Sequence, residues 1–122
     1  MPETAYPPNP VLLVDDEQQA IVSLTQTLLA EGINNTLACG DSRDVIPLAV
    51  GRELELVLLD LTMPHITGEA LLELLARDFP DVPVIVITGI QQIETAVNCL
   101  KGGAFDYLVK PVERGRLIAS IR

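Results

Sequence analysis

Aromatic residues are scarce: two tyrosines, two phenylalanines and no tryptophan among 122 residues. With 48% of the chain hydrophobic, the core must be aliphatic and alanine-rich. The two cysteines, Cys39 and Cys99, stand far apart and fit neither a disulfide framework nor a metal-ligand spacing. They read as small buried hydrophobes of a reducing compartment. Basic residues are few, eight Lys and Arg against 17 Asp and Glu, and the net charge of −9 argues against nucleic-acid binding by this segment. No apolar run approaches the ~20 residues that cross a membrane. The N-terminus MPETAYPPNP has neither the basic nor the apolar region of a signal peptide, so a cytoplasmic protein with no membrane contact is expected. His65 is the single histidine; it reads as exposed, with no second ligand nearby in sequence to make a zinc site.

What is present is an alternation of two patterns, without internal repeats. Residues 1–9 are Pro-rich and read as a flexible leader, which leaves 10–122 as one domain. Val11 to Val14 is an apolar run ending in Asp15-Asp16-Glu17. From Gln18 to Glu31, Ile21, Leu24 and Leu28 recur at helical spacing, and Gly32 suits the position just past a helix. Thr36 to Cys39 reads as a weak second strand. Asp41 or Ser42 would cap a helix carrying Val45, Ile46, Ala49 and Val50, and Pro47 predicts that it is short, kinked or late-starting. Leu54 to Leu59 reads as a strand buried on both faces, ending at Asp60 in a Pro/Gly-punctuated loop. A helix over Gly68 to Asp78 follows, with Leu71, Leu74 and Leu75 facing the core and Leu72 beside them. Val84 to Ile87 ends in Thr88-Gly89; Gln91 to Lys101 is helical, with Ile93, Val97 and Leu100 on one side. Phe105 to Val109 ends in Lys110-Pro111, and a last helix begins near Glu113 with Leu117, Ile118 and Ile121 as its apolar positions.

Five strand–helix alternations imply right-handed crossovers and a parallel sheet with helices on both faces. The strand ends then share one edge, where open α/β sheets bind ligands. Four of the five deliver a functional group there: Asp15-Asp16, Asp60, Thr88 and Lys110. Singly, each has a plainer explanation as a helix cap, an end-of-strand threonine or an edge charge. Their convergence at one edge is hard to reconcile with four independent accidents.

The fragments VDDE, LLDLTMP, VITG and LVKP, in this order and spacing from about Val11 to the end, resemble the receiver domain of two-component response regulators. The resemblance implies a flavodoxin-like (βα)5 doubly wound sheet with strand order 2-1-3-4-5. It also implies transfer of a phosphoryl group from a sensor histidine kinase to an aspartate, here Asp60, as a switch rather than as an enzyme with turnover. Both the acceptor carboxylate and the phosphoryl group are anionic, so the transfer needs a divalent cation, Mg2+ with Mn2+ as an alternative. Asp16 and Asp60 are expected on the metal directly, Asp15 through water or through its charge, and the backbone carbonyl of Thr62 as a further ligand. Lys110 and the Thr88 hydroxyl are expected to hold phosphoryl oxygens. Tyr107 stands where receivers place an aromatic switch, though a half-buried strand tyrosine explains it equally well. Lys110-Pro111 occupies the place where receivers carry a cis peptide.

Gly89 replaces the more usual alanine, and Thr67 the acidic residue often found before Gly68. Thr62 and Ile90, at positions that in this family influence access of hydrolytic water, offer no charged or amide group to orient it. A haloacid-dehalogenase-type phosphatase would want a second Asp at Thr62, and a flavodoxin a Ser/Thr-rich loop where Asp15-Asp16-Glu17 stands. A pseudo-receiver would lack one of the anchors. The last helix reads as truncated at Arg122. The string TAVNCLKGGAFDYLVKPV looks most like receivers joined to ATPase transcription activators of the nitrogen-regulator type. A C-terminal effector domain and a phosphorylation-dependent homodimer are therefore expected partners, with a stand-alone receiver or phosphorelay intermediate as the alternative.

Overall fold

The computed structural model describes residues 4–61, 66–89 and 93–121. Its strands are β1 (Val11–Val14), β2 (Thr36–Cys39), β3 (Leu56–Asp60), β4 (Val84–Thr88) and β5 (Asp106–Val109). Its helices are α1 (Gln18–Ala30), α2 (Val45–Ala49), α3 (Gly68–Asp78), α4 (Ile93–Lys101) and α5 (Arg114–Ile121). The strands form one parallel sheet in the order β2-β1-β3-β4-β5, the doubly wound arrangement expected from the alternation.

The period of two along each strand divides the core into two clusters. Leu12, Val14, Val57, Leu59 and Val86 face Val45, Leu71, Leu72 and Leu75 of α2 and α3. Val11, Leu13, Leu58, Ile85 and Ile87 face Ile21, Leu24, Leu28 and Leu117 of α1 and α5. A fully buried leucine contributes roughly 1.5–3 kcal/mol by leaving water, so these aliphatic layers stabilise the sheet without aromatic mass. Cys39 and Cys99 are buried free thiols within the first cluster.

Local chemistry sets the element ends. The chain after α1 turns through Gly32 at φ +83°, with Gly32 N–H donating to Leu29 O at 3.0 Å and Ile33 N–H to Leu28 O at 2.9 Å. These two bonds close a Schellman motif over the buried pair Leu28 and Ile33. The region around Pro47 is a short 3-10 turn, Ser42–Asp44, followed by the five residues of α2. Pro47 falls in the first turn of α2, where its missing N–H costs no helical hydrogen bond.

Several local expectations need correction. Leu72, not Leu74, is on the buried face of α3. Val97 is 40% exposed, and among the described side chains of α4 Cys99 is the buried one. The strand at Leu54–Leu59 starts two residues later and includes Asp60. The described part of the leader hydrogen-bonds to the loop before β2. Tyr6 N–H donates to Asn34 Oδ1 at 2.7 Å, and Tyr6 O accepts from the Asn34 and Asn35 amides at 2.9 and 3.1 Å. Asn35 Nδ2 donates to Pro7 O at 2.9 Å. The physical reason is polar: two adjacent asparagines before β2 hold the leader's backbone against the end of β1. Among the described residues, no helix is long and apolar enough to cross a membrane.

Candidate functional site at the carboxyl edge of the sheet

Register brings the strand ends together. Val14 pairs with Leu59 and with Cys39, and Thr88 with Val109, so the residues following β1, β3, β4 and β5 emerge along one edge. Backbone bonds continue past the strands: Asp15 N–H donates to Cys39 O at 3.1 Å, Leu61 N–H to Ile87 O at 3.0 Å and Lys110 N–H to Thr88 O at 2.8 Å. The functional side chains therefore stand on extended backbone.

Asp15, Asp16 and Asp60 each offer a carboxylate oxygen within 4.8 Å of the others. Asp15 and Asp60 are each 2% exposed, whereas Asp16 faces solvent. Lys110 Nζ reaches into the cluster, 3.2 Å from Asp60 Oδ2 and 3.7 Å from Asp15 Oδ2. Asp15 Oδ1 also accepts from Glu17 N–H at 3.0 Å, which gives the carboxylate a share in starting α1. Thr88, 1% exposed, closes the edge with its hydroxyl donating to Gly89 O at 3.3 Å. The Lys110–Pro111 peptide is cis, as is Tyr6–Pro7.

Electrostatics follow from this crowding. Burial pushes the Asp15 carboxyl above its ordinary range, and the nearby Asp60 charge adds to the rise; the Glu17 amide and Lys110 oppose it. For Lys110, burial works against the ammonium, but the carboxylates of Asp60 and Asp15 outweigh it and raise its pKa. Among the described residues the donor set is all carboxylate oxygen, which fits Mg2+ or Mn2+ better than zinc. A divalent cation would compensate the negative charge that Lys110 leaves unbalanced.

The arrangement thus brings together Asp15, Asp16, Asp60, Lys110 and Thr88. Tyr107 stands apart from the cluster. It is half-buried on β5, beside Val86 of β4, and packs against the α3-side core. The Thr62 carbonyl, His65, Ile90, Gln91 and the side chain of Ile93 lie outside the described residues. Two positioning features escaped the sequence reading. A methyl group on Gly68 would stand 2.4 Å from Leu61 Cα, and Gly68 N–H donates to Leu61 O at 3.3 Å. Glycine therefore lets the start of α3 press against the backbone directly after Asp60; the Thr67-Gly68 pair signalled a helix start and nothing more. The other feature is the Ser42 hydroxyl, which accepts from Ile66 N–H at 3.0 Å.

Comparison with known proteins supports the same grouping. Residues 11–122 match the response regulator receiver domain family. An NtrX-like response regulator of Rickettsia felis is 34% identical over 114 residues, covering 92% of this chain and 24% of the relative. The response regulator protein FleR of Pseudomonas aeruginosa is 34% identical over 108 residues, covering 88% of this chain and 23% of FleR. This chain thus spans about a quarter of the length of these curated relatives. Among solved structures, the receiver domain of NtrX from Brucella abortus superposes with a TM-score of 0.84 at 33% identity, covering 89% of this chain and 92% of that one. A response regulator receiver domain protein from Clostridium thermocellum gives 0.85 at 27%, covering 93% and 90%.

Proposed function

The chain belongs to the response regulator receiver domain family, and from that premise we propose that Asp60 is its phosphoacceptor, served by Asp15, Asp16, Thr88 and Lys110. The observation that carries the reading is the buried Asp60 carboxylate, held 3.2 Å from Lys110 inside a three-carboxylate cluster. A phosphoryl group arrives from the phosphohistidine of a sensor kinase. An Asp60 oxygen attacks phosphorus, the P–N bond breaks, and the imidazole leaves with the electron pair.

A bound Mg2+ would supply charge neutralisation for the meeting of two anions. Asp15, Asp16 and Asp60 would hold it, with the Thr62 carbonyl completing the protein ligands. Lys110, already in the cluster, shifts its pairing from the Asp60 carboxylate to a phosphoryl oxygen. The Thr88 hydroxyl turns from Gly89 O to a second phosphoryl oxygen. Phosphorylation adds roughly two negative charges at Asp60. Drawing Thr88 inward opens space for the Tyr107 ring and reshapes the face made by α4 and β5. A differential stabilisation of a few kcal/mol suffices to shift such an equilibrium.

The receiver would form residues 10–122 of a longer regulator, with the remainder acting as a transcriptional effector. The support is that the relatives named NtrX-like and FleR are about four times as long as their matched segment. Asp60→Asn should abolish labelling by a small phosphodonor with Mg2+ while leaving the circular dichroism spectrum unchanged. Phosphorylation of that variant to the wild-type extent, read by mass spectrometry, would remove Asp60 from the role.

A further inference from the structure

β5 is the last strand of the sheet, four residues long and bonded to β4 on one side only. The outer side of such a strand has no neighbouring strand to hold its main chain. At Tyr107 side chains do so instead. Its N–H donates to Asp106 Oδ1 at 2.8 Å, and its carbonyl accepts from Arg116 Nη2 at 3.1 Å. The same guanidinium forks onto the Asp106 carboxylate, Nη1 to Oδ2 and Nη2 to Oδ1, both at 3.0 Å. Nη1 also donates to Ser120 Oγ at 2.9 Å, one turn further along α5.

The two residues belong to different layers of the molecule. The Tyr107 ring packs on the cluster that α2 and α3 share with the sheet, whereas Leu117, next to Arg116 on α5, is fully buried in the cluster of α1 and α5. The guanidinium therefore reaches around the open edge of the sheet to grip a peptide whose side chain lies on the far face. We propose that Arg116 is a positioning residue for the switch, anchoring the Tyr107 main chain so that phosphorylation of Asp60 is answered by rotation of the ring on a stationary strand. The inference rests on the reading of Asp60 as phosphoacceptor and Tyr107 as the responding side chain. A ring that turns against a packed core pulls on its own peptide. On an edge strand held from one side, that pull is dissipated as displacement of the backbone; the clasp resists it. Lysine at 116 would keep the charge but lose the planar fork that spans Asp106 and the Tyr107 carbonyl together.

The test uses protein carrying 3-fluorotyrosine at Tyr6 and Tyr107, with Tyr6→Phe to assign the two signals. Fluorine spectra and amide spectra are recorded before and after labelling by acetyl phosphate with Mg2+. Wild type, Arg116→Ala, Arg116→Lys and Leu28→Val are compared, the last a core truncation on α1, and thermal midpoints are recorded in parallel. Arg116→Ala should be phosphorylated at the wild-type rate, with exchange of the Tyr107 amide about tenfold faster, as expected on losing a charged hydrogen-bond donor. Its Tyr107 fluorine signal should move less on phosphorylation, and the lost response should reappear as shifts of the Asp106, Tyr107 and Leu108 amides. Arg116→Lys should behave as the alanine variant does, and it serves if that variant does not fold. Leu28→Val should lower the midpoint yet keep the full fluorine response. A wild-type response in Arg116→Ala, a wild-type response in Arg116→Lys, or an equal loss in Leu28→Val would overturn the proposal. Wild type that accepts no phosphoryl group, or accepts one with a still Tyr107 signal, would remove the phosphoacceptor or switch reading together with this one. Phosphorylated, responding wild type beside an equally responding Arg116→Ala would remove this one alone.

Discussion

Asp15 is a carboxylate whose burial works against the fold. Its pKa is raised by burial and by Asp60, so its favourable protonated form is available only at low pH. The raised folded value means that stability is full below the ordinary carboxylate pKa and falls as pH rises through the folded one. At neutral pH the cation-free protein therefore carries a destabilising charge. Asp15→Asn should raise the thermal midpoint of the cation-free protein at pH 7 by several degrees, because the amide oxygen still accepts from Glu17 N–H. The same change should weaken Mg2+ binding. A midpoint equal to or below wild type, measured in excess chelator, would contradict this account. The five cluster residues were legible in the sequence because each ends a strand in a parallel sheet, where register alone brings them together. Ser42 was not. Asp41 takes the cap and pairs with the nearby Arg43, whereas the partner that draws Ser42 inward, the Ile66 amide, lies 24 positions away and leaves no local pattern.

At the scale of elements, β5 and α5 are joined by a polar clasp. Asp106 accepts from both terminal nitrogens of Arg116 at 3.0 Å and from Tyr107 N–H at 2.8 Å, and Ser120 Oγ donates to it as well. Arg116 reaches on to Tyr107 O at 3.1 Å. The guanidinium holds the Asp106 carboxyl down at about 2, with help from Ser120 and the Tyr107 amide against a modest cost of burial. A depressed folded pKa contributes stability that is present above the ordinary value and is lost as pH falls through the folded one. Asp106→Asn should lower the thermal midpoint at pH 7 by about 2–5 °C and flatten the acid limb of the stability curve between pH 4 and 2. A variant with an unaltered acid limb would assign that limb to other carboxylates. The strand and helix cores could be read from periodicity, but their ends followed tertiary contacts. Phe105, expected in the last strand, is 62% exposed, and the strand begins at Asp106, where the clasp holds it. Leu72 displaced Leu74 because α3 meets the sheet along the row of Leu71 and Leu75.

Across the whole molecule, the leader and the acidic edge lie at opposite ends of the sheet. Pro-rich composition suggested a free segment, since nothing local to residues 4–9 shows that Asn34 and Asn35 bind their backbone. Deleting residues 1–8 should lower stability to urea by about 1–2 kcal/mol through the lost hydrogen bonds, while phosphorylation of Asp60 continues. Loss of labelling with the fold intact would mean that the two ends communicate. Between them stands the contact of Gly68 with Leu61, which has a mechanical consequence. Helices usually meet strands through side chains that rotate and absorb small displacements. Here the start of α3 lies directly against the backbone and side chain of Leu61, one residue beyond Asp60, with little space between them to take up motion. A shift of the chain at Asp60 must push α3 as a rigid rod, and its Leu71, Leu72 and Leu75 carry that push into the aliphatic cluster on which Tyr107 rests.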